Sequence, residues 1–89
     1  MPINAVFEAL AHPVRRQILA LLRQRPMSAG ELAGHFEISK PTLSVHFAKL
    51  REAELVAVER HGTTLIYHLN MSILEEALSG FLAFREHDE

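Results

Sequence analysis

Small polar side chains line one face of a short predicted helix in the middle of the chain. In the segment SKPTLSVHFAKL, residues 39–50, Leu43, Phe47 and Leu50 have the i, i+4, i+7 spacing of a buried helix face. The other side chains are small, polar or basic, whereas a helix exposed only to solvent usually carries more Glu and Lys. Groups of this kind hydrogen-bond to base edges and phosphates, so the segment has the chemistry of nucleic-acid recognition.

The side chains on this face each suit a particular contact with double-stranded DNA. Lys40 can reach a guanine edge or a phosphate, and Val45 can meet a thymine methyl group. Thr42 and Ser44 can donate or accept hydrogen bonds, while Lys49, one turn further on, is better placed for a phosphate. The alternative is a structural helix that is partly exposed. The predicted DNA-contacting residues of the helix are Ser39, Lys40, Thr42, Ser44, Val45, His46 and Lys49, with His46 at the flank.

Histidines are numerous, but their spacing does not favour a metal site. The chain has six histidines and no cysteine, which excludes disulfides and thiolate ligands. No two histidines are at i, i+4, and a closed zinc site needs about four ligands with defined geometry. Glu86, His87 and Asp88 can either join ligands from a second subunit or form a solvated chain end. We predict no metal site and no cofactor.

Catalytic groups are also missing from the pattern. The chain has no glycine-rich phosphate-binding loop. Serine lies near histidine in GHFEIS and SVHF, but these segments are predicted to pack as helices and have no third group to orient a nucleophile. We therefore predict that the protein is not an enzyme and has no small-molecule substrate.

Two amphipathic helices are predicted before this segment. The first runs from Ile3 to Leu10 and ends before His12, because the residue before a proline disfavours the helical region. Pro13 can then occupy the first turn of the second helix, which ends at RQRPM. The neighbouring Arg15 and Arg16 can contact phosphate, or pair with Glu8 or with acids of the last helix.

The next two helices have start signals of their own. Ser28 followed by Glu31 is a capping box that predicts a third, short helix. Ser39 is a predicted N-cap, and Pro41 is tolerated in the first turn of the fourth helix. About four residues link these helices, so the pair has the pattern of a helix-turn-helix.

A β-hairpin and a final helix complete the chain. ELVAVER and TTLIYHL are rich in β-branched and aromatic residues and flank Gly62, which predicts two strands. The tip is either a solvated turn or a second contact to DNA, by Arg60, His61, Gly62 and Thr63. Asn70 or Ser72 can cap a helix over residues 71–87. The element order predicts a mainly helical α+β fold, the winged helix-turn-helix, as a single domain over residues 1–89.

The charge distribution is uneven along the chain. The net charge is −2, but residues 75–89 carry five acids and one base, so residues 1–74 carry eight bases and six acids, for +2. No apolar run is long enough to cross a bilayer, and the N-terminus lacks the basic-then-apolar pattern of a signal peptide. The cytoplasm is therefore the expected compartment.

The first and last helices carry more apolar residues than a small domain needs to cover one side. A chain of 89 residues buries a modest core, so dimerisation would help to stabilise it. A two-fold dimer would set two reading helices ~34 Å apart and predicts an inverted-repeat operator. The alternative is that both helices complete the core of one chain. The predicted dimer residues are Ile3, Val6, Phe7, Leu74, Leu78, Phe81 and Leu82.

Three segments together resemble a known family. FEALAHPVRRQILALL, MSAGELAGHFEISKPTLSVHFAKLREAELV and GTTLIYHLN are similar to the ArsR-type winged-helix repressors. This resemblance implies a bacterial homodimer with the first and last helices at the interface, the fourth helix reading DNA, and residues 60–64 forming the wing. The segments SKPTLSVHF and YHLN are most similar to the SdpR-like autorepressor branch, which implies that a protein partner relieves repression.

Two other functions stay open at this point. The family's well-known members sense metals, but SAGEL has no cysteine pair and the last helix lacks their spaced Asp and His ligands. A metal-responsive repressor would have to use His87 and nearby carboxylates. A winged-helix dimer that binds only proteins is the other alternative, and the net charge of −2 favours it.

Overall fold

The described part of the computed structural model covers residues 3–87 and has five helices and three strands. Its helices are α1 (Ile3–Leu10), α2 (Pro13–Gln24), α3 (Ala29–Ala33), α4 (Lys40–Glu52) and α5 (Met71–His87). Its strands are β1 (Met27–Ser28), β2 (Val56–His61) and β3 (Thr64–Leu69). The predicted mainly helical winged helix-turn-helix fold is confirmed, and each predicted helix is present.

The sheet has one strand more than the predicted hairpin. Its order is β1-β3-β2 and both pairings are antiparallel, with Met27 opposite Tyr67 and Val56 opposite Leu69. β1 has only two residues, which is too short to show an alternating pattern in the sequence. It forms because the chain leaving α2 runs beside β3 and buries the Met27 side chain. The wing is thereby tied to the helical part at its centre strand.

The turn of the wing depends on one glycine. His61 pairs with Thr64, so Gly62 and Thr63 form a two-residue loop. Gly62 has φ of 66°, as expected at the first central position of a type II′ hairpin turn. This tight turn joins β2 to β3 at the tip of the wing.

A single core joins the helices to the sheet. Buried apolar side chains come from all five helices and all three strands, so none of these elements stands apart from the core. The largest fully buried side chains are Val6, Ile18, Leu32, Leu50 and Leu55. Leu43, Phe47 and Leu50 face this core, which confirms the predicted buried face of α4 and leaves its other face outward.

The two helix-turn-helix caps form as predicted. The Glu31 amide donates to Ser28 Oγ at 3.0 Å, and the Ser28 amide donates to Glu31 Oε1 at 3.0 Å. Ser39 caps α4, with the Thr42 amide donating to Ser39 Oγ at 3.3 Å. The link from Gly34 to Ser39 is longer than the predicted four residues, because α3 ends at Ala33 and continues only as tight turns.

A left-handed residue turns the chain from α4 into the wing. The Leu55 amide donates to the Leu50 carbonyl at 3.0 Å, and the Glu54 amide donates to the Arg51 carbonyl at 2.9 Å. These two bonds are the Schellman motif, which needs a left-handed residue after the cap. Glu54 supplies it with φ of 60°, where glycine is usual. Leu50 and Leu55 are both buried, so the motif also closes the core at this end of α4.

Candidate nucleic-acid interface

The outward face of α4 is small and largely polar. Lys40, Thr42, Ser44 and Val45 are exposed, and Val45 leaves 57% of its surface in solvent. Burial of the opposite face fixes the rotation of the helix, so these side chains project together at its N-terminal half. An exposed branched apolar group between hydroxyls and a lysine suits a surface that meets base edges and thymine methyls.

The hydroxyls at the start of α4 are ordered by each other. Ser39 Oγ donates to Thr42 Oγ1 at 2.9 Å while it accepts from the Thr42 amide. Thr42 Oγ1 therefore keeps one lone pair and its own proton, whereas Ser39 already uses its proton. The Thr42 hydroxyl is held in place and can still donate or accept a hydrogen bond to a base or a sugar.

His46 lies deeper in the protein than the flank position predicted for it. Its side chain is 6% exposed and lies beneath the outward face of α4 rather than on it. His46 Nδ1 is 3.0 Å from Arg15 Nη1, and its ring centroid is 4.3 Å from that of His12. Burial, followed by the nearby His12 and Arg15 charges, lowers the pKa of His46. A ring held in this way cannot reach a base edge.

Lys49 is partly exposed to solvent and also forms an ion pair. Its Nζ lies 2.8 Å from Glu8 Oε1 on α1. The hydrogen bond between them lowers the pKa of Glu8 and raises the pKa of Lys49. Such a pair at the surface contributes little to stability. The predicted phosphate contact of Lys49 therefore requires this partner to be given up.

The tip of the wing is exposed, but one of its predicted contact residues already has a partner. Arg60, His61, Gly62 and Thr63 are all exposed, as a DNA-contacting tip requires. His61 Nε2 lies 3.1 Å from Glu59 Oε1, and His68 Nε2 lies 3.2 Å from the same oxygen. The bonds to His61 and His68 lower the pKa of Glu59. The predicted contact residue His61 therefore already has the Glu59 carboxylate as its partner.

Lys40 and Arg60 differ from Lys49, the third basic residue of the predicted DNA-binding surface. Among the described residues, the ion pairs formed by lysine and arginine join Arg25 to Glu31 and Lys49 to Glu8. Lys40 at the start of α4 and Arg60 on the wing are in neither pair, and both are exposed. Among the described residues, neither charge is therefore neutralised by these ion pairs, and both are accessible to phosphate oxygens.

Arg15 and Arg16 bind the end of α1 rather than carboxylates. Arg15 donates from Nε to the Ala9 carbonyl at 2.7 Å, and Arg16 donates from Nη1 to the Leu10 carbonyl at 2.6 Å. The last carbonyls of a helix have no partner within it and carry a partial negative charge. α1 has no base in its own last turn, so α2 supplies both cations. The structural interpretation of these arginines holds, with a different partner.

His12 is a functional cap that the sequence did not reveal. Its Nδ1 accepts from the Val14 amide at 3.1 Å, so it caps α2 directly before Pro13. The available signal was its place before a proline at the first helical position, where a side-chain acceptor is useful. The His12 ring also packs on the His46 ring, and this contact joins the start of α2 to α4.

The apolar residues of α1 and α5 divide between the core and the solvent. Val6 is fully buried within one chain, so its predicted place in a dimer interface is wrong. Ile3 and Leu74 are partly buried against the core, and the Phe7 ring meets the Phe81 ring edge-on at 5.4 Å. A stripe on α5 remains exposed: Leu78 by 43%, Phe81 by 58% and Leu82 by 53%.

Other predicted features lie partly outside the described residues. Among the side chains that the structure describes, no three His, Asp or Glu residues are grouped so that they could hold a metal ion. Asp88 and the side chains of Glu86 and His87 lie outside the described part of the chain. No helix in the described range has the length and apolar character needed to cross a membrane.

The fold and this surface define the class of protein. A helix-turn-helix whose second helix projects small polar groups, followed by an exposed wing, is the architecture of winged-helix DNA-binding proteins. The sequence matches the family described as "Bacterial regulatory protein, arsR family" over residues 12–58. The chain therefore belongs to the ArsR family and is a DNA-binding transcriptional repressor rather than an enzyme.

Individual relatives cover nearly all of the chain. It is 42% identical over 82 residues to the transcriptional repressor SdpR of Bacillus subtilis, covering 92% of this chain and 91% of that protein. It is 39% identical to the HTH-type transcriptional regulator KmtR of Mycobacterium tuberculosis, covering 92% of this chain and 63% of that protein.

Solved structures agree with the fold. HlyU from Vibrio cholerae superposes with a TM-score of 0.73 at 30% identity, over 97% of this chain and 91% of that chain. The crystal structure of an ArsR family transcriptional regulator gives a TM-score of 0.84 at 26% identity, over 93% of this chain and 84% of that chain.

Proposed function

We propose that the protein is a cytoplasmic homodimer that represses transcription by binding an inverted-repeat operator. The observation that carries this proposal is the outward face of α4, where hydroxyls, one valine and an unpaired lysine project from a helix fixed by its buried side. In helix-turn-helix proteins the second helix enters the major groove with its N-terminal residues at base edges. The exposed residues lie in that half of α4.

The contacts divide into reading and positioning contacts. Ser44 and Val45 are proposed to read base edges in the major groove, with Thr42 as an acceptor beside them. Lys40 is proposed to contact a guanine or the adjacent phosphate. Arg60 at the wing is proposed to follow the backbone or enter the minor groove, a common place for arginine. The remaining proposed contacts are Ser39, Lys49, His61, Gly62 and Thr63, and Lys49 reaches a phosphate only on leaving Glu8.

A second copy of the chain is the proposed cover of the exposed stripe on α5. Leu78, Phe81 and Leu82 leave a continuous apolar surface beside Phe7 of α1. Apolar surface of this kind is stabilised by burial at about 25 cal/mol per Å². In a two-fold dimer the two α4 helices would reach successive major grooves, ~34 Å apart.

Relief of repression is proposed to come from a protein partner. This step rests on the similarity of SKPTLSVHF and YHLN to the SdpR-like branch. It leaves the DNA-binding surface unchanged and predicts that chelators have no effect on operator binding.

The proposal is tested by fluorescence anisotropy of the purified protein on its own upstream DNA and on a scrambled control. We expect tighter binding to the upstream DNA, with log affinity falling against log salt by ~0.9 per phosphate contact. Repeating the titration with a chelator tests whether a metal contributes. Equal weak binding to both DNAs would place the operator elsewhere, and no binding at low salt would contradict DNA-dependent repression.

A further inference from the structure

One arginine joins helices α1, α2 and α4 near the middle of α4. Arg15 of α2 donates from Nε to the Ala9 carbonyl at 2.7 Å and from Nη2 to the Glu8 carbonyl at 3.0 Å. Its Nη1 lies 3.0 Å from Nδ1 of His46, in the middle of α4. The rigid fork of the guanidinium allows these contacts at the same time, which a lysine ammonium cannot reproduce.

The partners of Arg15 fix the protonation state of His46. A guanidinium only donates hydrogen bonds, so Nδ1 of His46 must accept and the ring proton lies on Nε2. Nδ1 of His12 likewise accepts, from the Val14 amide at 3.1 Å. Both rings are therefore oriented by donors, and they pack with centroids 4.3 Å apart. The contact between α2 and α4 exists in this form only while His46 is neutral.

The position of this contact matters for recognition. His46 directly follows Ser44 and Val45 along α4, but its side chain points inward and is 6% exposed. A hydrogen bond in such a buried position is stronger than at the surface and is costly to leave unmade. The Arg15–His46 bond therefore helps to hold the rotation and height of α4 relative to α1. α1 in turn contacts α5, which carries the proposed dimer surface.

We propose that Arg15 is a positioning residue for DNA binding, which sets the place of the reading helix relative to the dimer helices through its bond to neutral His46. This inference rests on the proposed homodimeric function, since the distance between two α4 helices determines which half-site spacing is bound. Arg15 touches no DNA in this arrangement and acts through α4.

Acid is expected to break the contact. A proton on Nδ1 replaces the acceptor with a second donor that faces the guanidinium. The charged and titratable groups around this position are His12, Arg15, and the pair of Glu8 with Lys49. The Glu8 carboxylate is already bound by Lys49, so it does not compensate a charged His46. Burial lowers the pKa of His46, which keeps the contact intact at neutral pH.

The first test compares operators whose half-sites have the native spacing or are moved one base pair apart. Arg15→Lys keeps the charge but loses the fork, and we expect about a tenfold loss of the preference for native spacing. Arg16→Lys is the matched control, because Arg16 binds only the Leu10 carbonyl of α1. Unchanged affinity and unchanged spacing preference in Arg15→Lys would overturn the proposal.

The second test uses the acceptor side of the pair. His46→Asn offers an amide oxygen near the Nδ1 position that does not titrate in this range. We expect the wild type to lose affinity in acid, and we expect His46→Asn to keep the spacing preference at neutral pH and to lack this fall in affinity. His68→Asn, on the outer face of the wing, should retain that fall. An acid response in His46→Asn equal to the wild type would contradict the inference.

The two tests separate this inference from the proposed function. Wild-type protein without any operator preference would refute the repressor proposal itself. A wild type with normal preference and an Arg15→Lys variant that matches it would refute only the positioning role. Thermal unfolding of each variant checks folding, and if Arg15→Lys does not fold, the pH profile of His46→Asn decides.

Discussion

Lys40 and Lys49 lie on the same helix but differ in their ion pairing. Lys49 is bound to Glu8 across the α1–α4 contact, whereas Lys40 stands exposed at the first position of α4. A free ammonium near the helix start can bind phosphate without first breaking an ion pair. At the residue scale, we therefore expect Lys40 to contribute more to the proposed DNA binding than the spacing of the two lysines alone suggests.

His46 makes folding stability depend on pH at this same scale. Its folded-state pKa is lowered, so between that value and about 6.5 the unfolded chain binds more protons than the folded chain. Stability is therefore fully present above about pH 6.5 and is lost as the pH falls below it. We expect a lower urea midpoint at about pH 5 than at about pH 7.5.

The comparison with His46→Asn isolates this effect. The lowered pKa values of Glu8, Glu31 and Glu59 place their titration below the ordinary glutamate range, outside this window. The variant should therefore have nearly the same urea midpoint at both pH values. A wild type whose stability does not change between them would show that His46 is not held neutral.

At the scale of single elements, the end of α4 carries identifiable strain. Glu54 adopts φ of 60° to complete the Schellman motif, and this conformation costs an L-residue about 1–2 kcal/mol. Glu54→Gly removes that cost but adds freedom to the unfolded chain. We expect a net gain of roughly 0.5–1 kcal/mol in the free energy of unfolding, measured by urea denaturation.

A substitution to glycine two positions earlier, at Glu52, provides the matched control. Glu52 lies in the last turn of α4, where helical backbone is preferred. Glu52→Gly should destabilise the chain by about 1 kcal/mol. If both variants were destabilised equally, the left-handed residue would contribute no strain.

The elements that the sequence predicts best are those determined by neighbours in the chain. The Ser28–Glu31 box and the Ser39 cap join residues three positions apart, so their signals are local. β1 depends instead on Tyr67 and Ile66, almost forty residues away, and two residues carry no periodicity of their own. Its pairing follows only from the folded path of the chain.

The same distinction explains the candidate site. The outward face of α4 follows from Leu43, Phe47 and Leu50, because their spacing fixes which side is buried. The burial of His46 could not be predicted this way, since its partner Arg15 is 31 positions away and gains its other contacts from α1. Polar residues at the flank of a helix become buried only when such a donor is present.

At the scale of the whole molecule, acidic and basic side chains are concentrated on different elements. The acids of residues 75–89 lie on α5 and beyond, while the unpaired bases Lys40 and Arg60 lie on α4 and the wing. This arrangement reconciles the net charge of −2 with DNA binding, because repulsion by the acidic segment is kept on a different element from the reading helix.

Dimerisation is testable on the exposed stripe. Phe81→Glu puts a charge on a side chain that is 58% exposed and contacts Phe7, so it should disrupt a dimer while leaving most of the core intact. We expect a shift from dimer to monomer in analytical ultracentrifugation and weaker operator binding. Ser79→Glu adds the same charge at an exposed position outside the stripe and should remain dimeric. A dimeric Phe81→Glu would place the interface elsewhere.

The most direct test of the central claim is operator binding by Lys40→Glu, compared with Arg23→Glu by fluorescence anisotropy. Both variants change the net charge equally, but Arg23 lies on α2 beside Met71 and Leu74 of α5 rather than on α4. We predict that Lys40→Glu abolishes operator binding and still forms a dimer, while Arg23→Glu binds nearly as the wild type does. Normal binding by Lys40→Glu would contradict the claim that the outward face of α4 reads the operator.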